Sequence, residues 1–136
     1  MMQHLLIIWK DINNTGIPII DEQHRGIVST INSLYYIVTS DHSHKLLDAT
    51  IQTVEEYTKI HFTTEEYLMK KSSYPAIHSH IKLHEELAAN TFTVSRESKQ
   101  FDDPMVFLNF LKDWWREHIN QRDKEYSAHL KKYFNL

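Results

Sequence analysis

Two pairs of metal-ligand residue types stand four positions apart in this chain, His61 with Glu65 and His80 with His84. On a helix such partners lie ~40° apart around the axis and about 6 Å apart along it, so each pair converges on one point. His24, His118 and Asp123 add further nitrogen and oxygen donors, and the set falls on the apolar stripes of amphipathic helices. A single histidine on such a stripe is ordinarily a packed residue with one satisfied hydrogen bond, which suffices for His24 alone. Five imidazoles and two carboxylates in one small core are different, because a buried charge without a partner costs several kcal/mol. The chemistry that suits them is metal binding.

Imidazole binds zinc, copper, iron and nickel, and seven donors exceed what one tetrahedral zinc uses. Two metals fit better: Glu65 and Asp123 have two oxygens each and can span both, while the histidines complete separate shells. Unequal sharing leaves one metal an open position for an exogenous ligand. One spacing departs from this scheme. His118 and Asp123 are five apart, about 140° around a regular helix, whereas Glu125 lies nearer the His118 face. Spacing by itself selects Glu125, and Asp123 requires a helix that ends or distorts between Ile119 and Arg122.

The elements that must position these donors are helices. Only two glycines and three prolines interrupt 136 residues, and apolar residues recur at three- and four-residue spacing. Residues from Met1 to about Ile20, with Gly16 and Pro18, read as an irregular arm anchored by Trp9. A first helix starts near Ile19–Asp21 and turns His24, Ile27, Val28, Ile31, Leu34, Tyr35 and Val38 inward. A second runs from a Ser43 cap to about Lys71, roughly 40 Å, with Leu47, Ile51, Val54, Thr58, His61, Glu65 and Leu68 inward. Ser72–Pro75 breaks the chain. A third helix presents Ile77, His80, Ile81, His84, Leu87, Ala88 and Thr91. A fourth, opened by Pro104, presents Phe107, Phe110, Leu111, Trp114 and His118, and a short helix near Lys124–Phe134 closes the chain. Short connections predict an all-α, antiparallel up-down-up-down four-helix bundle over residues 1–136 as a single domain.

Composition bounds the function classes. Ten histidines are the outlier, and the absence of cysteine excludes disulfides, iron–sulfur clusters and thiol nucleophiles. The net charge of -3 without a basic stripe argues against nucleic acid. No apolar run approaches the ~20 residues of a membrane span, and the first nine residues lack a signal-peptide pattern. Cytoplasm is the default expectation.

Asp21-Glu22-Gln23-His24, His61-Phe62-Thr63-Thr64-Glu65, His80-Ile81-Lys82-Leu83-His84 and the run from Trp114 through His118 and Ile119 to Asp123 resemble the four ligand motifs of the hemerythrin family, bacterial branch. The likeness covers nearly the whole chain. The ferritin-like bundles differ in using Glu-x-x-His repeats, which are absent here. The resemblance implies two non-heme iron ions, oxo- or hydroxo-bridged. It implies His80, His84 and His118 on a fully coordinated iron, His24 and His61 on an iron with an open position, and Glu65 and Asp123 bridging. It further implies a dry oxygen pocket at Ile27, Phe62, Trp114 and Ile119.

The function implied is reversible dioxygen binding for storage, delivery or scavenging. Alternatives are a sensing module acting through a partner, or a di-iron oxidase, peroxidase or nitric-oxide-handling protein. No additional acid, base or substrate pocket in the sequence selects an enzyme. An oxygen-consuming or signalling protein partner and the oligomeric state stay open. Trp115 departs from the smaller aliphatic residue expected of relatives; it narrows oxygen access if it faces the pocket. His4, His42, His44, His78 and His129 match no motif and are expected at the surface.

Overall fold

The computed structural model describes residues 5–40 and 44–136. Its helices are α1 (Pro18–Thr39), α2 (His44–Lys71), α3 (Ile77–Gln100), α4 (Pro104–Trp114) and α5 (Ser127–Phe134). Helices α1 to α4 form the bundle and α5 follows it. The Ser43 cap falls outside the described residues, as do the side chains of His4, His42 and His44.

The termini follow local chemistry. Pro18 is the first residue of α1, slightly ahead of the expected start, because a residue without an N–H is tolerated where that donor has no intrahelical partner. Asp21 ties this turn to the arm. Its Oδ1 accepts from the Thr15 backbone N–H at 2.7 Å and the Thr15 hydroxyl at 2.8 Å, and its Oδ2 accepts from the Gly16 N–H at 3.1 Å. Gly16 sits at φ 86, a conformation that favours glycine. Helices α2 and α3 both stop through a left-handed residue, Ser73 at φ 54 and Asp102 at φ 50. In each the next N–H, of Tyr74 or Asp103, returns at 2.9 Å to a carbonyl five residues back, Met69 or Ser98. Pro75 and Pro104 follow within two residues and prevent resumption of the same helix.

Two apolar clusters form the interior. The larger joins Ile27, Val28, Ile31 and Leu34 of α1 to Ile51, Val54 and Phe62 of α2, and to Phe107, Leu108, Leu111 and Trp114 of α4. The smaller gathers Ile17, Ile20, Met69, Tyr126 and Leu130. Members of the two clusters flank His24 on α1 and Glu65 on α2, so the donors lie where apolar packing gives way to polar atoms. Met69, rather than the expected Leu68, is the fully buried residue at the end of α2.

Helix α3 is the unusual wall. Its buried residues are His80, His84, Thr91, Ser95 and Ser98, all polar. Ala88, expected inward, is exposed along the groove between α2 and α3. The buried hydroxyls are satisfied: Thr91 donates to the Leu87 carbonyl at 2.7 Å and Ser95 to the Glu55 carboxylate at 2.6 Å.

The largest departure from regular helix lies beyond α4. A π-helical turn spans Trp115–Ile119, closed by the Asn120 N–H on the Trp115 carbonyl at 2.9 Å, and a 3-10 turn follows at Arg122–Lys124. The arm meets this region. Trp9 packs on Trp115 with ring centroids 5.7 Å apart, Asn13 donates to the Asn120 side-chain carbonyl at 2.7 Å, and the Lys124 ammonium donates to the Ile12 carbonyl. Among the described residues, no helix is long and apolar enough to cross a membrane.

Candidate metal centre

All seven donors are buried, His24, His61, Glu65 and Asp123 completely. Helices α1 and α2 supply His24, His61 and Glu65, α3 supplies His80 and His84, the π turn His118 and the 3-10 turn Asp123. They form two overlapping groups within which one ligand atom from each residue lies within 4.8 Å of every other: Glu65, His80, His84, His118 and Asp123, and His24, His61, Glu65 and Asp123. The carboxylates are common to both.

Asp123 faces both groups at once. Its Oδ2 lies 3.0 Å from His24 Nε2 and 3.2 Å from His61 Nε2, while its Oδ1 lies 3.1 Å from His118 Nε2 and 3.4 Å from His80 Nε2. Glu65 Oε1 stands 2.6 Å from His61 Nε2 and 3.7 Å from His84 Nε2, and its Oε2 stands 3.7 Å from His80 Nε2. Glu125, which helical spacing favours over Asp123, instead lies on the surface beside Arg122 at 3.3 Å. The distortion that decides this begins at Trp115, earlier than the expected Ile119–Arg122 stretch. A π turn winds in an extra residue and bends the axis, so the spacing rule of a regular helix no longer holds past it.

On the two-histidine side Asp123 Oδ2 is within hydrogen-bond reach of His24 and His61 Nε2, but most of the converging atoms have no such partner. Both Glu65 oxygens, Asp123 Oδ1 and the Nε2 atoms of His80, His84 and His118 are buried with no aligned hydrogen bond. Polar atoms so desolvated are costly unless a common partner sits among them. Apart from the 2.6 Å between His61 Nε2 and Glu65 Oε1, the nitrogen–oxygen separations across the cluster, about 3.0–3.7 Å, match the edges of a polyhedron around an ion bonded at roughly 2.0–2.2 Å.

Electrostatics of the metal-free set reflect the same crowding. Burial opposes charge on His61, but Glu65 and Asp123 outweigh it and push the imidazolium up to about 10. Burial likewise opposes charge on His80, and Asp123 with Glu65 pushes it up to about 9. Burial, reinforced by charge on His80 and His118, holds His84 down to about 3. Burial and Asp123 would raise Glu65, yet His61 and His80 hold it at about 2.

A second layer, not anticipated from the motifs, orients the ligands. His61 Nδ1–H donates to Gln23 Oε1 at 3.1 Å, and the Gln23 amide donates to Thr64 Oγ1 at 3.0 Å, which fixes which way the amide faces. His84 Nδ1–H donates to Glu66 Oε2 at 2.8 Å. Tyr126 is fully buried against His80, with ring centroids 5.5 Å apart; burial first, and then the Glu65 and Asp123 charges, hold its phenol well above the ordinary range. The adjacency of Gln23 to His24 and of Glu66 to Glu65 was the available signal, but adjacency does not say which way a side chain turns.

Ile27, Phe62, Trp114 and Ile119 are all buried in the larger apolar cluster. Phe62 stacks on His84 at 3.9 Å and Trp114 lies parallel to His118 at 6.2 Å, so both aromatics face the three-histidine side. Trp115 is buried on the other side, edge-on to His24 at 6.5 Å. His78 is exposed. His129, expected at the surface, is half-buried: its Nε2–H donates to the Ser72 carbonyl at 2.8 Å beside the Tyr74 ring. The turn between α2 and α3 folds back onto α5 there.

Fold and site together define a histidine-rich, metal-binding four-helix bundle. The family described as hemerythrin HHE cation binding domain matches residues 15–130. A bacteriohemerythrin of Stenotrophomonas maltophilia is 31% identical over 131 residues, covering 96% of this chain and 85% of that protein. A bacteriohemerythrin of Pseudomonas paraeruginosa is 39% identical over 84 residues, covering 62% of this chain and 53% of that protein. The crystal structure of a hemerythrin mutant superposes with TM-score 0.81 at 23% identity, covering 93% of this chain and 98% of that one. The chain belongs to the hemerythrin family.

Proposed function

We propose that this protein binds dioxygen reversibly at a non-heme di-iron centre and that residues 1–136 act as one domain. The observation carrying this reading is the division of seven buried donors into overlapping groups that share Glu65 and Asp123. His80, His84 and His118 would hold one iron, His24 and His61 the other, with the carboxylates bridging. With three imidazoles against two, the His24–His61 side would be the one with room for an exogenous ligand. When bound, the iron pair supplies the electrons and the vacant coordination position that dioxygen requires.

The chain's own residues do the rest. Gln23, held by Thr64, turns the His61 ring so that Nε2 points inward, and Glu66 does the same for His84. Phe62, Trp114, Ile27 and Ile119 exclude water from the histidines, and Trp115 closes the His24 side. No protein acid or base is needed for binding. The open histidine pair and its apolar surround support carriage of a small apolar gas.

The test is spectroscopic. Anaerobically reduced protein with about two irons per chain, as a di-iron site requires, should be nearly colourless, gain visible absorption with oxygen and lose it when oxygen is removed. His61→Ala should abolish that change while far-ultraviolet circular dichroism stays helical. Protein that binds no iron, or that oxidises irreversibly at first exposure, would overturn the reading.

A further inference from the structure

The two halves of the centre are supported by different chemistry. On the two-histidine side, His61 Nδ1 is held by the neutral amide of Gln23 at 3.1 Å, and His24 Nδ1 is buried with no hydrogen-bond partner. On the three-histidine side His118 Nδ1 is likewise buried without a partner, so the difference lies at His84, whose Nδ1 is held by the carboxylate of Glu66 at 2.8 Å, the shorter separation typical of charge-assisted bonds. A carboxylate behind an imidazole makes its other nitrogen a stronger donor, whereas an amide fixes the ring without adding charge.

Glu66 also has an unusual position. It follows Glu65 directly on α2, about 100° further around the helix, so one carboxylate points into the centre and the next supports it from outside. Its side chain is 33% exposed, while His84 is almost fully buried. It lies on the lip of a groove of about 570 Å3 between α2 and α3, into which Glu55, Glu56 and Glu85 also project, with Lys59 as the cation. Phe62 and His84 form the inner wall of this groove. A cation arriving there meets carboxylates first and then the imidazole that Glu66 holds.

We propose that Glu66 is a positioning residue that makes the centre electrostatically unequal, so that the His80–His84–His118 half binds metal more tightly and fills first. This rests on the di-metal reading of the site. The charge strengthens His84 as a ligand and the hydrogen bond fixes its ring; Gln23 performs only the second task for His61. Glu66 belongs to neither donor group and meets His84 at Nδ1, so its effect is exerted through His84.

The experiment is a chelator-competition titration of metal-free protein with Co2+, read by visible absorption. Wild type should bind in two steps, and the tighter should survive in His61→Ala, which assigns it to the three-histidine half. Glu66→Gln keeps an acceptor for His84 but removes the charge; it should weaken the tighter step by about 10-fold and leave the other unchanged. Glu66→Leu removes the acceptor too, and the loss should reach about 100-fold. Gln23→Glu should strengthen the weaker step. Two steps of wild-type affinity in Glu66→Gln, or equal weakening of both, would overturn the proposal while leaving the centre intact. Wild-type protein that binds no Co2+ would overturn the di-metal reading beneath it.

Discussion

Loading the metal-free protein with a divalent ion at pH 8 should expel close to two protons per chain from His61 and His80. Both lie above the working pH, His61 near 10 and His80 near 9, because Glu65 and Asp123 overcome the effect of burial. At pH 8 a group at 10 is about 99% protonated and one at 9 about 90%, and each must lose its Nε2 proton to become a ligand. Glu65 and Asp123, held below the carboxylate range, are already ionised. The count should fall to about one near pH 9.5 and approach zero above pH 11. Zn2+ binding measured calorimetrically in two buffers of different ionisation enthalpy gives the count. Release well below one proton at pH 8, or a count that does not fall between pH 8 and 10, would show that the donors are not held together by shared protons before metal enters.

The same groups shape metal-free stability. His61 and His80 are raised in the fold, so their contribution is full below the unfolded value near 6.5 and is lost as pH rises through about 9 to 10. His84 is depressed, so its contribution is present above about 6.5 and lost as pH falls toward 3. Between about pH 5 and 9, above the range where Glu65 and Asp123 add to the acid limb, urea unfolding in chelator should therefore show a maximum near pH 6.5 with a steeper alkaline side, and a flat profile from pH 6 to 9 would refute the assignment. Asp21→Ala strands the Thr15 and Gly16 donors and should cost about 2–4 kcal/mol in urea unfolding, with loss below 1 kcal/mol counting against this tie between α1 and the arm. Trp115→Leu opens space beside His24 and should speed both oxygen dissociation and autoxidation; unchanged rates would show that Trp115 only packs. It should also cost about 1–3 kcal/mol through lost contact with Trp9.

Helix spacing alone placed His61 with Glu65 and His80 with His84, because partners on one regular helix have a relative position set by backbone geometry. The inward stripes of α1 and α2 were legible for the same reason, and the proline-punctuated turns followed from the restrictions proline imposes. Errors were local and had local causes: Ala88 lines a groove rather than the core, and His129 is drawn inward by the Ser72 carbonyl. The second layer was less accessible, since Gln23 and Glu66 act across helices on His61 and His84.

What the sequence by itself determined is the donor inventory and the four amphipathic helices that carry it. The tertiary structure decided between Asp123 and Glu125, turned Trp115 toward His24, and apportioned the supporting groups between the two halves. The reason is physical range. Periodicity describes a helix only while the helix stays regular, and here it stops at Trp115. Beyond that point the chain's direction depends on Trp9 against Trp115, Asn13 on Asn120 and Lys124 on the Ile12 carbonyl, contacts between opposite ends of the sequence that no local pattern encodes.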